Sequence, residues 1–275
     1  MSPPWPRLLA LDLDGTLLRT DHRVADEDVR AIADLRGRGV TVTIATGRLY
    51  AGSAATARAV GIDGVIACME GSHLVDVGRD HTVIRHGLDA AAAPALRAVL
   101  AGHDLASFLF EHDHVHHDER GAPYAAYVQT WSPSLRLVDD ALDHPAWDAA
   151  PLAAVAIGEP DVVAAALAAL APHPALRVVS FAVSAAPGKH AVLARRAGPS
   201  KGTALAELCA LAGCTVADAV VVGDWVNDLP MFEVAGRSFV MAGAPDDVAA
   251  AATDRLTSVT GAGGGVAEAI RRAWG

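Results

Sequence analysis

An α/β fold is predicted for this 275-residue chain: a doubly wound parallel sheet with a smaller α+β domain inserted into it. Three observations carry the prediction. Short apolar strands alternate with helical stretches over roughly the first 80 residues, and the same alternation returns after about residue 190. In addition, two acidic turns, Asp12-Leu13-Asp14 and Asp224-Trp225-Val226-Asn227-Asp228, each follow the end of an apolar strand.

In chain order, residues 7–12 (RLLALD) form an apolar run closed by a carboxylate. Residues 26–38 carry Val29, Ile32, Ala33 and Leu35 at helical spacing, with acidic residues in the first turn, and Gly39 stops that helix. Residues 40–46 (VTVTIAT) are rich in β-branched side chains and predict a strand. A helix over 49–60 and a third strand over 64–69 (GVIACM) follow. Such a β-α-β-α-β series with short connections gives a Rossmann-like parallel sheet with helices on both faces. The second run predicts a helix over 201–211, a buried strand over 219–224, a short helix over 229–235, a strand over 238–241, and helices over 245–252 and 266–274. Between these runs strand-like segments (105–110, 152–157, 176–183) mix with Ala-rich helices (89–100, 161–170). The predicted division is a core of residues 1–81 and 188–275 with an inserted α+β domain over 82–187.

Composition narrows the function classes. The net charge is −10, the wrong sign for a protein held on nucleic acid through phosphate contacts. No apolar run is long enough to span a membrane, and the N-terminal residues lack the basic and apolar regions of a signal peptide. Three cysteines, Cys68, Cys209 and Cys214, with no CxxC pair suit a reduced, cytoplasmic protein. The glycine run 261–265 lacks dinucleotide-loop spacing, and no GxSxG elbow occurs.

Four segments carry chemistry. In Asp12-Leu13-Asp14-Gly15-Thr16, two carboxylates at i and i+2 can face one site if the chain bends at Gly15, and a divalent cation would relieve their repulsion; the alternative is an ordinary turn. Asp224 and Asp228, four apart, would share a helix face, or Asp224 would merely cap that helix. Thr46-Gly47-Arg48 offers a hydroxyl and a backbone amide at a helix start, suited to an anion or to plain capping. Lys201 is one of only two lysines, with Lys189, in a chain otherwise served by arginine.

As an ordered set, LALDLDGTLL, TIATGR, SKGTAL and GDWVNDLPMF resemble the motifs of the haloacid dehalogenase (HAD) superfamily, and within it the Cof-like phosphatases, whose C2-type cap is inserted between the second and third motifs. The resemblance implies that Asp12 is the nucleophile, forming an aspartyl-phosphate, and that Asp14 is the general acid and base. It implies phosphate binding by Thr46, Gly47 and Lys201, with Asn227 orienting the site. Mg²⁺ would be held by Asp12, the Asp14 backbone carbonyl and Asp224, with Asp228 acting through water. The implied activity is Mg²⁺-dependent hydrolysis of a small phosphorylated metabolite, such as a sugar phosphate, with no nucleic-acid or membrane partner. A phosphosugar mutase or phosphotransferase of the same architecture, or a ligand-binding protein with vestigial activity, are the alternatives. Three stretches depart from the family pattern: Glu70-Gly71-Ser72 where Asn-Gly is common, Trp225 inside the fourth motif, and Met241-Ala242-Gly243-Ala244 near the C-terminus. In the insert, His112, His114 and His116 would line one face of an extended strand, as a transition-metal row or as a solvated hairpin.

Overall fold

Strand β1 (Leu8–Leu11) is buried along its whole length, which is what its LLAL sequence demands of a strand covered on both faces. In the computed structural model, which describes residues 5–275, the chain continues through α1 (Asp26–Gly37), β2 (Thr41–Ile44), α2 (Ala54–Ala59), β3 (Val65–Cys68), β4 (His73–Asp76) and β5 (His81–Arg85). Next come α3 (Ala92–Ala101), β6 (Ala106–Phe110), β7 (Val115–His117), α4 (Ala125–Val128), β8 (Leu135–Leu137), β9 (Ala153–Gly158), α5 (Pro160–Leu170), β10 (Leu176–Ala182) and β11 (His190–Arg196). The chain closes with α6 (Lys201–Leu211), β12 (Ala219–Gly223), α7 (Leu229–Val234), β13 (Arg237–Ala242), α8 (Asp246–Ala251), β14 (Asp254–Val259) and α9 (Gly265–Trp274). Contacts divide these elements into two units. The first holds the chain through Gly47, Ser53–Ile84 and Pro199–Gly275; the second holds Arg48–Gly52 and Arg85–Gly198.

In the first unit five parallel strands lie in the order β14-β13-β12-β1-β2, with Leu8 opposite Ala219 on one side and Thr41 on the other. The order places β1 and β12 side by side, so the residues that follow them, Asp12 and Asp224, emerge together. On one face Leu8, Ala10, Val221 and Val240 pack against Leu205 and Leu208 of α6 and Met231 and Phe232 of α7. Helices α1 and α9 pack together, and buried Asp28 of α1 accepts the amide protons of Gly264 and Ala267 (2.8 and 2.7 Å), capping α9 across the fold. Burial of each leucine of β1 contributes about 2 kcal/mol.

Three features of the first unit differ from the sequence reading. The third strand, β3, does not extend the parallel ladder: a single parallel bridge, Ala45 to Ala67, links it to the end of β2, and its main partner is β4, antiparallel. The helix expected over 49–60 is broken into a 3₁₀ turn, Tyr50–Gly52, and α2. Strand β14 went unrecognised because it is an edge strand, DRLTSV, with only Leu256 buried, so it lacks an apolar alternation.

The second unit is built on a six-stranded sheet, β10-β11-β9-β6-β7-β8, antiparallel except for the β7–β8 pair. Leu96 and Leu100 of α3 and Val163, Ala166 and Leu170 of α5 pack with Leu109, Ala154 and Val192 in its core. Strand β11 pairs with both β9 and β10, which carries this unit on to Gly198, beyond the boundary at 187 expected from sequence.

Candidate active site

Asp12 directly follows β1, and its amide still donates to Val222 O (3.0 Å), so the ladder fixes where the carboxylate starts. The chain then turns sharply, with Leu17 N donating to Asp12 O and Leu18 N to Leu13 O. Gly15 sits in the turn at φ +85°, and a Cβ there would overlap the Asp224 carboxylate; the glycine is required by both backbone and space. Thr16, buried, donates its hydroxyl to Asp224 Oδ1 (3.1 Å). Asp14 stands on the exposed side of the same turn.

Asp228 reaches the site by a different route from a shared helix face. The residues after Asp224 form a 3₁₀ turn, Val226–Asp228, and Asp228 Oδ2 folds back to accept the amides of Asp224 (2.8 Å) and Trp225 (3.0 Å). Its Oδ1 accepts from Lys201 Nζ (2.6 Å), which also donates to Asp12 Oδ1 (2.5 Å). Lys201 opens α6 just behind the Ser200 cap, whose hydroxyl accepts from Thr203 N while Thr203 Oγ1 accepts from Ser200 N, so a rigid helix start holds a fully buried ammonium.

Carboxylate oxygens of Asp12, Asp224 and Asp228 lie within 4.8 Å of one another, all buried; the Asp14 side chain is not part of this group. Three carboxylates therefore share one ammonium. Burial pushes the Asp12 carboxyl well up, Lys201 pulls against it, and Asp228 and Asp224 add to the upward push. Burial, then Asp228, pushes Asp224 up to about 6. For Lys201, burial alone would favour the neutral amine, but Asp12 and Asp228, with a further contribution from Glu70, hold the ammonium raised above the ordinary lysine range. Excess negative charge in a buried site is costly unless matched, and a set made only of carboxylate oxygens fits a small, hard divalent cation.

Thr46 and Gly47 follow β2. Thr46 is buried, donates its amide to Ala67 O (2.9 Å) and accepts from Glu70 N (3.0 Å). Gly47 faces the Glu70 carboxylate so closely that a Cβ there would stand 2.5 Å from Oε1. Asn227 Nδ2 donates to that same Oε1 (2.8 Å). The first unit thus gathers Asp12, Asp224, Asp228 and Lys201 into one bonded cluster, and the ends of β2, β3 and β12 bring Gly47, Glu70 and Asn227 together. Sequence reasoning missed Thr16 and Glu70; Glu70 stood out there only as a departure from a family pattern.

The histidines of the second unit do not form a row. Only Val115–His117 is strand, and Glu111 N donates to His114 O in the turn before it. His112 faces Asp113; His114 pairs with Ser134 Oγ and Arg136 (both 2.6 Å); buried His116 pairs with Glu111 (2.9 Å) and stacks on His144 with ring centroids 4.1 Å apart. Burial holds the His116 imidazolium down, against the pull of Glu111.

Known proteins are similar to this chain over nearly its whole length. A phosphoglycolate phosphatase of Halobacterium salinarum is 30% identical over 259 residues, covering 93% of this chain and 92% of that protein. An HMP-PP phosphatase of Yersinia enterocolitica is 28% identical over 252 residues, 86% and 84% of the two chains. The crystal structure of a haloacid dehalogenase-like hydrolase from Bacteroides thetaiotaomicron superposes with a TM-score of 0.84 at 21% identity, covering 98% of this chain and 100% of that one. With the family profile of the haloacid dehalogenase-like hydrolases matched over residues 9–270, the chain belongs to that family.

Proposed function

We propose that this protein is a Mg²⁺-dependent phosphatase that hydrolyses a small phosphomonoester, such as a sugar phosphate, through an aspartyl-phosphate on Asp12. One observation carries the reading: a buried carboxylate at a strand end has one oxygen held by Lys201, stands beside Asp224 and Asp228, and has Asp14 exposed two residues away. Asp12 is held in place by the β1 ladder and by Lys201, so its orientation needs no rearrangement before attack. In the first step an Asp12 oxygen bonds to phosphorus as the ester O–P bond breaks, and Asp14 gives its proton to the departing oxygen. In the second, Asp14 takes a proton from water, whose oxygen displaces Asp12 and releases inorganic phosphate. Lys201, the Thr46 hydroxyl, the Gly47 amide and Asn227 are assigned to the phosphoryl oxygens. Asp12, Asp224 and the Asp14 carbonyl would hold Mg²⁺, which when bound neutralises charge on the phosphoryl group. Both Asp228 oxygens already accept protein donors, which supports an outer, water-mediated role for it. The two relatives are named as phosphatases of small phosphorylated compounds, which supports the same reaction class here. We assign substrate selection chiefly to the second unit, as the family resemblance implies, and the three free thiols suit action in a reducing compartment such as the cytoplasm.

Purified protein should hydrolyse p-nitrophenyl phosphate with Mg²⁺, lose turnover on chelation with EDTA, and regain it when Mg²⁺ is restored. Equal turnover in EDTA would overturn the metal dependence.

A further inference from the structure

Glu70 is assigned no contact with the substrate above, although its charge adds to the hold on Lys201, and two other chain segments converge on it. Met69, Glu70 and Gly71 are successive left-handed residues, at φ 48°, 56° and 87°. Glycine and asparagine tolerate that region; a glutamate there is a backbone choice kept against local preference. The loop is pinned because Glu70 N donates to Thr46 O (3.0 Å), and the side chain is pinned because Oε1 accepts from Asn227 Nδ2 (2.8 Å). Gly47, which leaves room for that oxygen, and Asn227 are both assigned to the phosphate. A carboxylate therefore stands beside two residues assigned to an anion. Holding Asn227 needs only one neutral acceptor oxygen, which a shorter amide would supply without the charge or the backbone conflict. The second oxygen and the negative charge are what glutamate adds: an ionised carboxylate accepts several hydrogen bonds and donates none.

We propose that Glu70 is a specificity-determining residue, accepting a hydrogen bond from a hydroxyl or amino group on the leaving part of the substrate and repelling leaving groups that carry a second anion. The assignment rests on the phosphatase reading. Unlike a positioning role, it depends on the substrate's own charge.

Three compounds of near-equal size separate these properties: phosphoethanolamine, ethylene glycol monophosphate and phosphoglycolate, whose ends are an ammonium, a hydroxyl and a carboxylate. Each is measured as a competitor of p-nitrophenyl phosphate turnover in wild type, Glu70→Gln and Glu70→Asn. In wild type, apparent KI should rise from the ammonium to the carboxylate compound. Glu70→Gln, which keeps the shape and removes the charge, should narrow the phosphoglycolate-to-phosphoethanolamine ratio by about tenfold or more. Glu70→Asn suits the left-handed backbone and should show the same narrowing with an unchanged or higher thermal midpoint, which guards against a Gln variant that folds poorly. A wild-type ratio near one, or a ratio that neither variant moves, overturns the assignment, including the case in which all three KI values change together. Wild type inert towards p-nitrophenyl phosphate overturns the phosphatase reading itself, so the two failures are distinct.

Discussion

Two clusters of ionisable side chains, one in each unit, are built to opposite rules. At the strand ends of the first unit Asp12, Asp224 and Asp228 converge on Lys201, and the count of charges does not balance. In the second unit His116 Nε2 pairs with Glu111 and its ring stacks on His144, while His114 pairs with Ser134 and Arg136; His116 Nδ1 has no partner among the described residues, so what is left unmet there is one ring nitrogen and not an excess of like charge. Both clusters are rich in potential metal ligands by sequence. The difference teaches that ligand-type residues point to a reactive site when like charges are crowded without enough counter-charge, and to a structural one when each pairs with a neighbour of the same unit.

The largest effect that separates the two rules is the response to Asp12→Asn. Turnover of p-nitrophenyl phosphate should fall on the order of 10⁴-fold or more, as expected when a nucleophile is removed. Stability should move the other way: without divalent cation the variant should melt at or above wild type, because one of three crowded carboxylates is gone. Lys201→Met should destabilise the cation-free protein by about 3–5 kcal/mol, since it leaves buried carboxylates without their ammonium. A lowered midpoint in Asp12→Asn would mean that the cluster is balanced after all.

Next in size is the response to Mg²⁺. Added to the wild type at about 100 times Kd, it should stabilise by about 2.7 kcal/mol, read as a rise in thermal midpoint. Asp224→Asn should lose most of that shift. The pH dependence follows from Asp224, whose pKa in the folded protein is pushed up to about 6. Below that value a proton occupies the carboxylate and competes with the cation, so the Mg²⁺-induced shift should shrink as pH falls through about 6. The cation-free protein should show the reverse trend from this group: a raised folded pKa binds more protons than the unfolded chain between about 4 and 6, so stability should fall as pH rises through that window.

How much of this was legible in the sequence follows from the same contrast. Asp12 and Asp224 could be named beforehand because each follows an apolar strand, and Lys201 because it is one of only two lysines in the chain. The close approach of β1 and β12 was not readable from spacing, since 212 positions separate their last residues and only the strand order joins them. Asp228 was named for the wrong geometry: it works by folding back on two amides, a contact set by the 3₁₀ turn and invisible to a helical wheel. Glu70 was hidden for a similar reason, because its role depends on a left-handed turn after β3 and on Asn227, 157 positions away. Of the two readings of the histidines the hairpin holds, because the backbone turns at 111–114 between antiparallel β6 and β7; the row fails for the same reason, and His116 is buried where a solvated ring was expected.

A smaller effect is expected in the second unit. His116→Leu keeps the bulk but removes the partner of Glu111 and the stack on His144, and should cost about 1–3 kcal/mol. The Mg²⁺-induced midpoint shift should persist in this variant; its loss would show that the two clusters are coupled.

The smallest effect tests the rule inside the first unit alone. Asp254, on edge strand β14, faces both Arg237 (2.8 Å) and Arg272 (2.8 Å), the opposite of the crowding at Asp224. Its hydrogen bond to Arg237, opposed by partial burial, leaves the carboxyl below the usual aspartate range. A lowered folded pKa means the native state binds fewer protons than the unfolded chain, so this stabilisation is present above about pH 4 and is lost as pH falls through the folded value. The pairs are partly solvent-exposed, so Asp254→Asn should cost only about 1 kcal/mol at neutral pH. Acid titration of the cation-free protein should then show two opposed slopes, a gain from the Asp224 group as pH drops from about 6 towards 4 and a loss from Asp254 below that. Removing Asp254 should flatten only the second slope. If Asp254→Asn also flattened the first, the crowded and the paired carboxylates would be one network, and the distinction between matched and unmatched charge would not hold within this sheet.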